Sequence, residues 1–81
     1  MISRDSIQTA YSFLHQKRNV YIHSTIASQR DDIELIIANY IDEMNPELLA
    51  LVADGHDDFL KTHSRFESDI TQAVERLEQL L

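Results

Sequence analysis

The chain has 81 residues, a formal net charge of −7, one glycine, one proline and no cysteine. The lack of cysteine excludes disulfides, thiolate metal ligands and a cysteine nucleophile. An acidic surface also disfavours direct binding to nucleic acid or to anionic membranes. Because turn-forming residues are so few and no linker divides the chain, we expect a single helical domain over residues 1–81.

The charge is unevenly distributed along the chain. Residues 1–30 carry four basic side chains and one acidic side chain, a net charge of +3. Residues 31–81 carry three basic and thirteen acidic side chains, a net charge of −10. The basic first third could therefore attract the acidic remainder, within one chain or between two copies.

The first third predicts a helix. Ile7, Ala10, Tyr11 and Leu14 share one helical face. Residues 19–27 continue this face as helix, but their β-branched and aromatic content also fits a strand. We favour helix, because no second strand is evident to satisfy the backbone groups of a lone strand.

A second helix is predicted to begin near Ser28, which precedes an acid three residues later as in a capping box. Asp31, Asp32 and Glu34 then fall in its predicted first turn, where negative charge stabilises a helix. Its apolar stripe consists of Ile33, Ile36, Ile37, Tyr40, Ile41 and Met44.

The remaining chain predicts one short helix and one long helix. Asn45 and Pro46 suit a helix start, and Gly55 suits the end of that short helix. A long final helix is predicted with Asp57 or Asp58 as its N-cap. Its apolar stripe consists of Phe59, His63, Phe66, Ile70, Ala73, Leu77 and Leu80. The predicted fold is therefore all-α, a small bundle of three main helices plus one short helix.

The segment from Ala53 to His63 is the one place where metal chemistry looks feasible. His56 and Asp57 lie beside Gly55, and His63 follows two helical turns later. The spacing fits neither a calcium-binding loop nor a helical metalloprotease motif. We therefore expect a helix corner, with no metal or other cofactor, and keep His56, Asp57 and His63 as candidate ligands.

Catalytic motifs are absent from the sequence. A phosphate-binding loop or a nucleophile elbow requires several glycines, and no serine has a histidine and an acid arranged around it. Interaction features are better supported, because some apolar residues lie off the helical stripes or at the end of the final helix. The candidate interaction residues are Phe13, Leu35, Leu77 and Leu80.

The leading functional hypothesis is a small, acidic, non-enzymatic protein-interaction or assembly module that self-associates as a homodimer. No apolar run suits a signal peptide or a membrane span, so we expect a cytoplasmic protein without membrane contact. One alternative is a metal-dependent activity at the corner of His56 and Asp57. Another is an acidic nucleic-acid mimic that binds a basic protein through Asp31, Asp32, Glu34, Asp42, Glu43 and Glu47.

Overall fold

The computed structural model describes residues 2–81, which form four α-helices and no strand. A single turn of 3-10 helix, His63–Arg65, immediately precedes the last α-helix. This architecture confirms the predicted all-α bundle with three long helices and one short helix. The α-helices are α1 (Arg4–His23), α2 (Ala27–Glu43), α3 (Pro46–Ala53) and α4 (Phe66–Leu80).

The first helix begins with a side-chain cap and extends well beyond Leu14 of its predicted apolar face. The Ser3 hydroxyl accepts a hydrogen bond from the Ser6 backbone N–H at 3.1 Å. The helix continues to His23, so the helical interpretation of residues 19–27 is confirmed for 19–23 and wrong for 24–26, and the strand alternative is wrong. Ser24 and Ile26 have extended backbone and connect α1 to α2.

The start of α2 differs from the prediction. The N-cap is Ile26, which provides no side-chain hydrogen bond, so Ser28 lies inside the helix and does not cap it. Asp31 and Asp32 consequently lie beyond the first turn, where the helix dipole stabilises negative charge less effectively. Capping and the dipole therefore do not fully account for these acids.

Helix α1 packs against α4 through apolar and polar contacts. The rings of Tyr21 and Phe66 lie 5.2 Å apart, and Arg18 Nε donates to Thr71 Oγ1 at 3.1 Å. All of the helices contribute to one core. Its buried apolar residues are Ala10, Leu14, Tyr21, Ile33, Ile37, Ile41, Leu48, Val52, Ala53, Phe59, Leu60, Phe66, Ile70, Ala73, Val74 and Leu77.

Helix α3 starts as predicted, with the Asn45 side chain accepting from the Glu47 N–H at 2.8 Å and Pro46 in the first turn. Its C-terminal end is fixed by α4. The Gln72 side-chain amide donates to the carbonyl oxygens of Val52 at 3.1 Å and Ala53 at 3.3 Å. The bond to Val52 satisfies a carbonyl group that the end of a helix leaves unpaired, whereas the Ala53 carbonyl also accepts from the His56 backbone N–H at 3.2 Å.

The predicted start of the final helix is wrong by about two turns. The chain between α3 and α4 is interrupted by left-handed backbone at Asp54, Gly55, Asp58 and Leu60, with φ between 54° and 81°. Asp57 and Asp58 therefore do not cap α4, which begins at Phe66.

Buried side chains hold this connection in place. Phe59 and Leu60 are both buried in the core, although Leu60 adopts a φ of 58° that is unfavourable for a branched side chain. The Leu60 N–H donates to the buried carboxylate of Asp69 at 3.1 Å. Burial of Leu60 and this hydrogen bond compensate for the strained backbone.

Candidate functional site

The structure separates the three candidate metal ligands of the α3–α4 corner. The His56 Nδ1 atom lies 2.8 Å from the Ala53 carbonyl oxygen, where the ring N–H donates a hydrogen bond. Asp57 is exposed, and its backbone carbonyl accepts from Arg65 at 3.2 Å. His63 contacts α2 instead. Within residues 2–81, neither His56 nor Asp57 belongs to a group of three convergent metal-ligating side chains.

His63 lies at the surface rather than on the apolar stripe of α4. Its side chain is 74% exposed, and its Nδ1 atom lies 2.8 Å from Glu34 Oε2. The expectation that His63 shares the apolar stripe with Phe59 and Phe66 is therefore wrong. The 3-10 turn brings the imidazole to a helix that is 29 residues distant in the sequence.

Glu34 joins three structural elements through its carboxylate. The same Oε2 atom accepts a hydrogen bond from the Tyr21 hydroxyl of α1 at 2.8 Å. The Glu34 side chain is only 15% exposed. Asp31, one turn earlier on α2, brings a second carboxylate to the group, and one ligand atom from each of Asp31, Glu34 and His63 lies within 4.8 Å of the others. We call these three residues the α2–His63 cluster.

The electrostatic environment of Tyr21 follows from this arrangement. Burial raises the pKa of Tyr21 to about 12, and the hydrogen bond and negative charge of Glu34 add to the shift. Glu67 acts in the same direction, whereas the positive charge of Arg30 lowers the pKa. The Arg30 guanidinium lies 4.2 Å from the centre of the Tyr21 ring. Tyr21 is therefore a hydrogen-bond donor to Glu34 at neutral pH.

The candidate interaction residues have very different environments. The rings of Phe13 and Tyr40 stack at 4.1 Å, so Phe13 is partly buried between α1 and α2. Leu77 is fully buried in the core and is not available to a partner in this fold. Leu80 is 39% exposed near the end of α4. Leu35 is 63% exposed, more than any other large apolar residue in the described part of the chain.

The outward side of α2 combines apolar and acidic side chains. At about 100° of rotation per residue, Leu35 points away from the buried Ile33 and Ile37, and the 45% exposed Ile36 lies at the edge of the same side. Each of these two apolar residues has an acid four residues before it and another seven residues after it. We call this surface the α2 outer face; it consists of Leu35, Ile36, Asp31, Asp32, Asp42 and Glu43.

The charge of the α2 outer face is almost unopposed within the helix. Arg30 is the only basic residue of α2, and it lies over the Tyr21 ring on the inward side. Among the four acids, Asp42 forms an ion pair with Lys61. The face is about 18 Å long from Asp31 to Glu43, at 1.5 Å per residue. It therefore offers an apolar centre between two acidic ends.

Two surface hollows lie at the end of α2 and beside His56. One of about 410 Å³ is lined by Ser6, Thr9 and Asp5 together with the end of α2, but by no histidine that could activate a hydroxyl group. Another of about 450 Å³ lies beside His56 and Lys61. It has no serine, threonine or cysteine among its lining residues.

None of the helices described for residues 2–81 has the length and apolar character needed to cross a membrane. The chain matches no protein-family model, no curated protein and no solved structure at a significant level. The function must therefore be argued from the surface of the molecule.

Proposed function

We propose that this chain is a non-enzymatic protein-interaction domain whose α2 outer face binds a basic amphipathic helix of a partner protein. The observation that carries the proposal is the exposure of Leu35 and Ile36 between two pairs of acids. Apolar side chains at the centre of a surface supply binding energy when they are buried, and charges at its rim select the partner.

The charge pattern specifies the chemistry of the partner. The acids at the two ends of the α2 outer face lie eleven residues apart, or about 16 Å along the helix. A matching helix carries Lys or Arg about three turns apart on either side of an apolar centre. Such a segment pairs its cations with Asp31 and Asp32 at one end and with Glu43 at the other.

The same pattern argues against a second copy as the occupant of this face. In an antiparallel two-fold pairing of α2 with α2, Asp31 and Asp32 of one copy would meet Asp42 and Glu43 of the other, and in a parallel pairing each acid would meet its own counterpart. Like charges in contact disfavour either arrangement. Self-association through another surface stays a prediction, which light scattering at low protein concentration would test.

A nucleic-acid mimic is a related hypothesis, because it also requires a basic partner. One of the six acids predicted to act in such a mimic, Glu34, instead contacts Tyr21 and His63 within the chain. The exposed Leu35 and Ile36 favour an amphipathic helix over a cleft that accepts phosphates, because a phosphate backbone offers no apolar group to bury them. The mimic hypothesis also stays a prediction.

The proposal is tested with a fluorescent helical peptide of leucine and lysine that has one apolar face. Anisotropy should show binding that weakens with added salt, and no comparable binding of the same peptide with glutamate in place of lysine. The double variant Leu35→Asp, Ile36→Asp should bind at least about tenfold more weakly. Equal binding of the lysine peptide and the glutamate peptide would contradict the proposed preference for a basic partner.

A matched control distinguishes the face from general surface charge. Val20 on α1 and Leu51 on α3 are each 50% exposed, and the double variant Val20→Asp, Leu51→Asp adds the same two negative charges elsewhere. This control should bind the lysine peptide at least as tightly as the unmodified chain. A similar loss in both double variants would show that the α2 outer face is not the binding surface.

A further inference from the structure

The α2–His63 cluster is a second feature of the surface. It shares Asp31 with the α2 outer face, but Glu34 and His63 lie outside that face. It contains one imidazole and two carboxylates from two elements that are far apart in the sequence. Asp31 and Glu34 are three residues apart, so both project from the same flank of α2. His63 approaches that flank from the 3-10 turn before α4.

The position of Glu34 is fixed before any ligand binds. Its carboxylate accepts from the Tyr21 hydroxyl at 2.8 Å and is largely shielded from solvent. Carboxylates that bind metals are commonly oriented by a hydrogen bond of this kind. Tyr21 is itself buried in the core between α1 and α4. The core therefore holds one ligand in place, while the exposed Asp31 and His63 can adjust.

A hydrogen bond between His63 and Glu34 explains why these two side chains are close, but it does not involve the third member of the cluster, Asp31. A proton on His63 Nδ1 satisfies that pair at 2.8 Å. The Asp31 side chain has no hydrogen bond or ion pair with any of the residues 2–81, and it lies beyond the helix turn where the dipole would stabilise it. A divalent cation would use all three groups and neutralise both carboxylates.

The donor atoms select the class of cation. One imidazole nitrogen with two carboxylate oxygens suits zinc, whereas magnesium and calcium prefer oxygen ligands alone. Two ligand atoms at about 2.1 Å from a tetrahedral zinc ion are about 3.4 Å apart. His63 Nδ1 and Glu34 Oε2, now 2.8 Å apart, must therefore separate slightly, while all of the ligand atoms already lie within 4.8 Å of one another and can adjust by side-chain rotation. Three protein ligands leave the fourth position to water.

We propose that Asp31, Glu34 and His63 bind a zinc ion that ties α2 to the 3-10 turn preceding α4. The ion replaces the proton between His63 and Glu34. It links residues 29 positions apart in the sequence, and so it stabilises the folded chain relative to the unfolded chain.

The test uses the intact chain after treatment with a chelator, and zinc chloride as the only ligand. Calorimetry should show one zinc ion bound per chain, and the melting temperature should rise with zinc concentration. Both effects should be lost in His63→Ala and in Asp31→Asn, whose altered side chains are exposed and do not contribute to the core. His56→Ala is the matched control and should bind zinc normally.

Two further measurements keep the outcome decisive. Tyr21→Phe should bind zinc about tenfold more weakly, because Glu34 loses the group that orients it. In spectra of the imidazole nitrogens, zinc should shift the signals of His63 and leave those of His56 unchanged. Equal zinc binding by His63→Ala, or no zinc binding by the unmodified chain, would overturn the proposal. Peptide titrations in zinc-free buffer test the protein-binding function separately.

Discussion

The Tyr21 hydroxyl donates a hydrogen bond to the Glu34 carboxylate across 2.8 Å, and this contact joins the core of the bundle to its surface. Tyr21 is buried between α1 and α4, while the other contact of the same Glu34 oxygen is the exposed His63. One carboxylate thereby connects α1, α2 and the segment before α4.

The first prediction concerns alkaline pH. The pKa of Tyr21 is raised to about 12 from an ordinary value of 10.0, so the folded chain retains this proton where the unfolded chain loses it. The stability contributed by neutral Tyr21 is therefore complete below pH 10 and is lost as the pH rises towards 12. The loss amounts to roughly 2 to 3 kcal/mol.

This prediction is checked by recording tyrosinate absorbance as the folded chain is titrated with base. The absorbance transition at the highest pH should belong to Tyr21 and should therefore be absent in Tyr21→Phe. Burial also raises the pKa of Tyr40, so Tyr40→Phe is the necessary comparison. The assignment would fail if the late transition persisted in Tyr21→Phe.

Glu34 and His63 should contribute unequally to stability in zinc-free buffer. Glu34→Ala leaves the buried Tyr21 hydroxyl without its acceptor and should cost roughly 1 to 3 kcal/mol. His63→Ala removes an exposed partner and should cost less than about 1 kcal/mol. Urea denaturation of both variants gives the comparison. Equal costs would mean that the contact with Tyr21 adds nothing to the stability of the fold.

Asp69 should be essential to the connection before α4. Asp69→Ala leaves the buried N–H of Leu60 unpaired and should reduce the free energy of unfolding by roughly 1 to 3 kcal/mol. Asp69→Asn retains an oxygen that can accept this bond and should cost less. Denaturant unfolding of the two variants tests the difference, and an Asp69→Ala variant as stable as the unmodified chain would contradict it.

Leu77 and Leu80 should respond differently to truncation, although both were predicted to contact a partner. Leu77 is fully buried, so Leu77→Ala should cost roughly 2 to 5 kcal/mol. Leu80 is 39% exposed, so Leu80→Ala should cost less than about 1 kcal/mol. Thermal unfolding measures both. A small cost at Leu77 would show that its packing is weaker than its burial indicates.

Local chemistry made parts of the fold predictable from the sequence. Asn45 followed by Pro46 marks the start of α3, because the side chain and the ring of these residues impose the geometry of a helix terminus. The stripe from Phe66 to Leu77 predicts the buried side of α4, because a single helix period governs it. Neither feature depends on contacts that are distant in the sequence.

The start of α4 could not be predicted in this way. Phe59, His63 and Phe66 are spaced as on one helix, yet the backbone at Asp58 and Leu60 is left-handed. Both Phe59 and Phe66 reach the core, by way of a turn rather than a continuous helix. The spacing of apolar residues indicates which side chains are buried, but it does not distinguish a continuous helix from a turn followed by a shorter helix.

The α2–His63 cluster also depends on tertiary structure. His63 and Glu34 were each visible in the sequence as a titratable residue, but only the packing of α1, α2 and α4 brings them to 2.8 Å. Leu35 is the contrasting case. Its exposure follows from its position opposite the apolar stripe of α2, which the helix period predicts.

The central claim is that the α2 outer face binds a basic amphipathic helix, and methyl NMR tests it most directly. The chain, labelled at Leu and Ile methyl groups and kept free of zinc, is titrated with the leucine–lysine peptide. We expect the largest shifts at Leu35 and Ile36, with little change at Leu51. Shifts centred on Leu51 or Leu80, or no shifts at Leu35 and Ile36, would contradict the account.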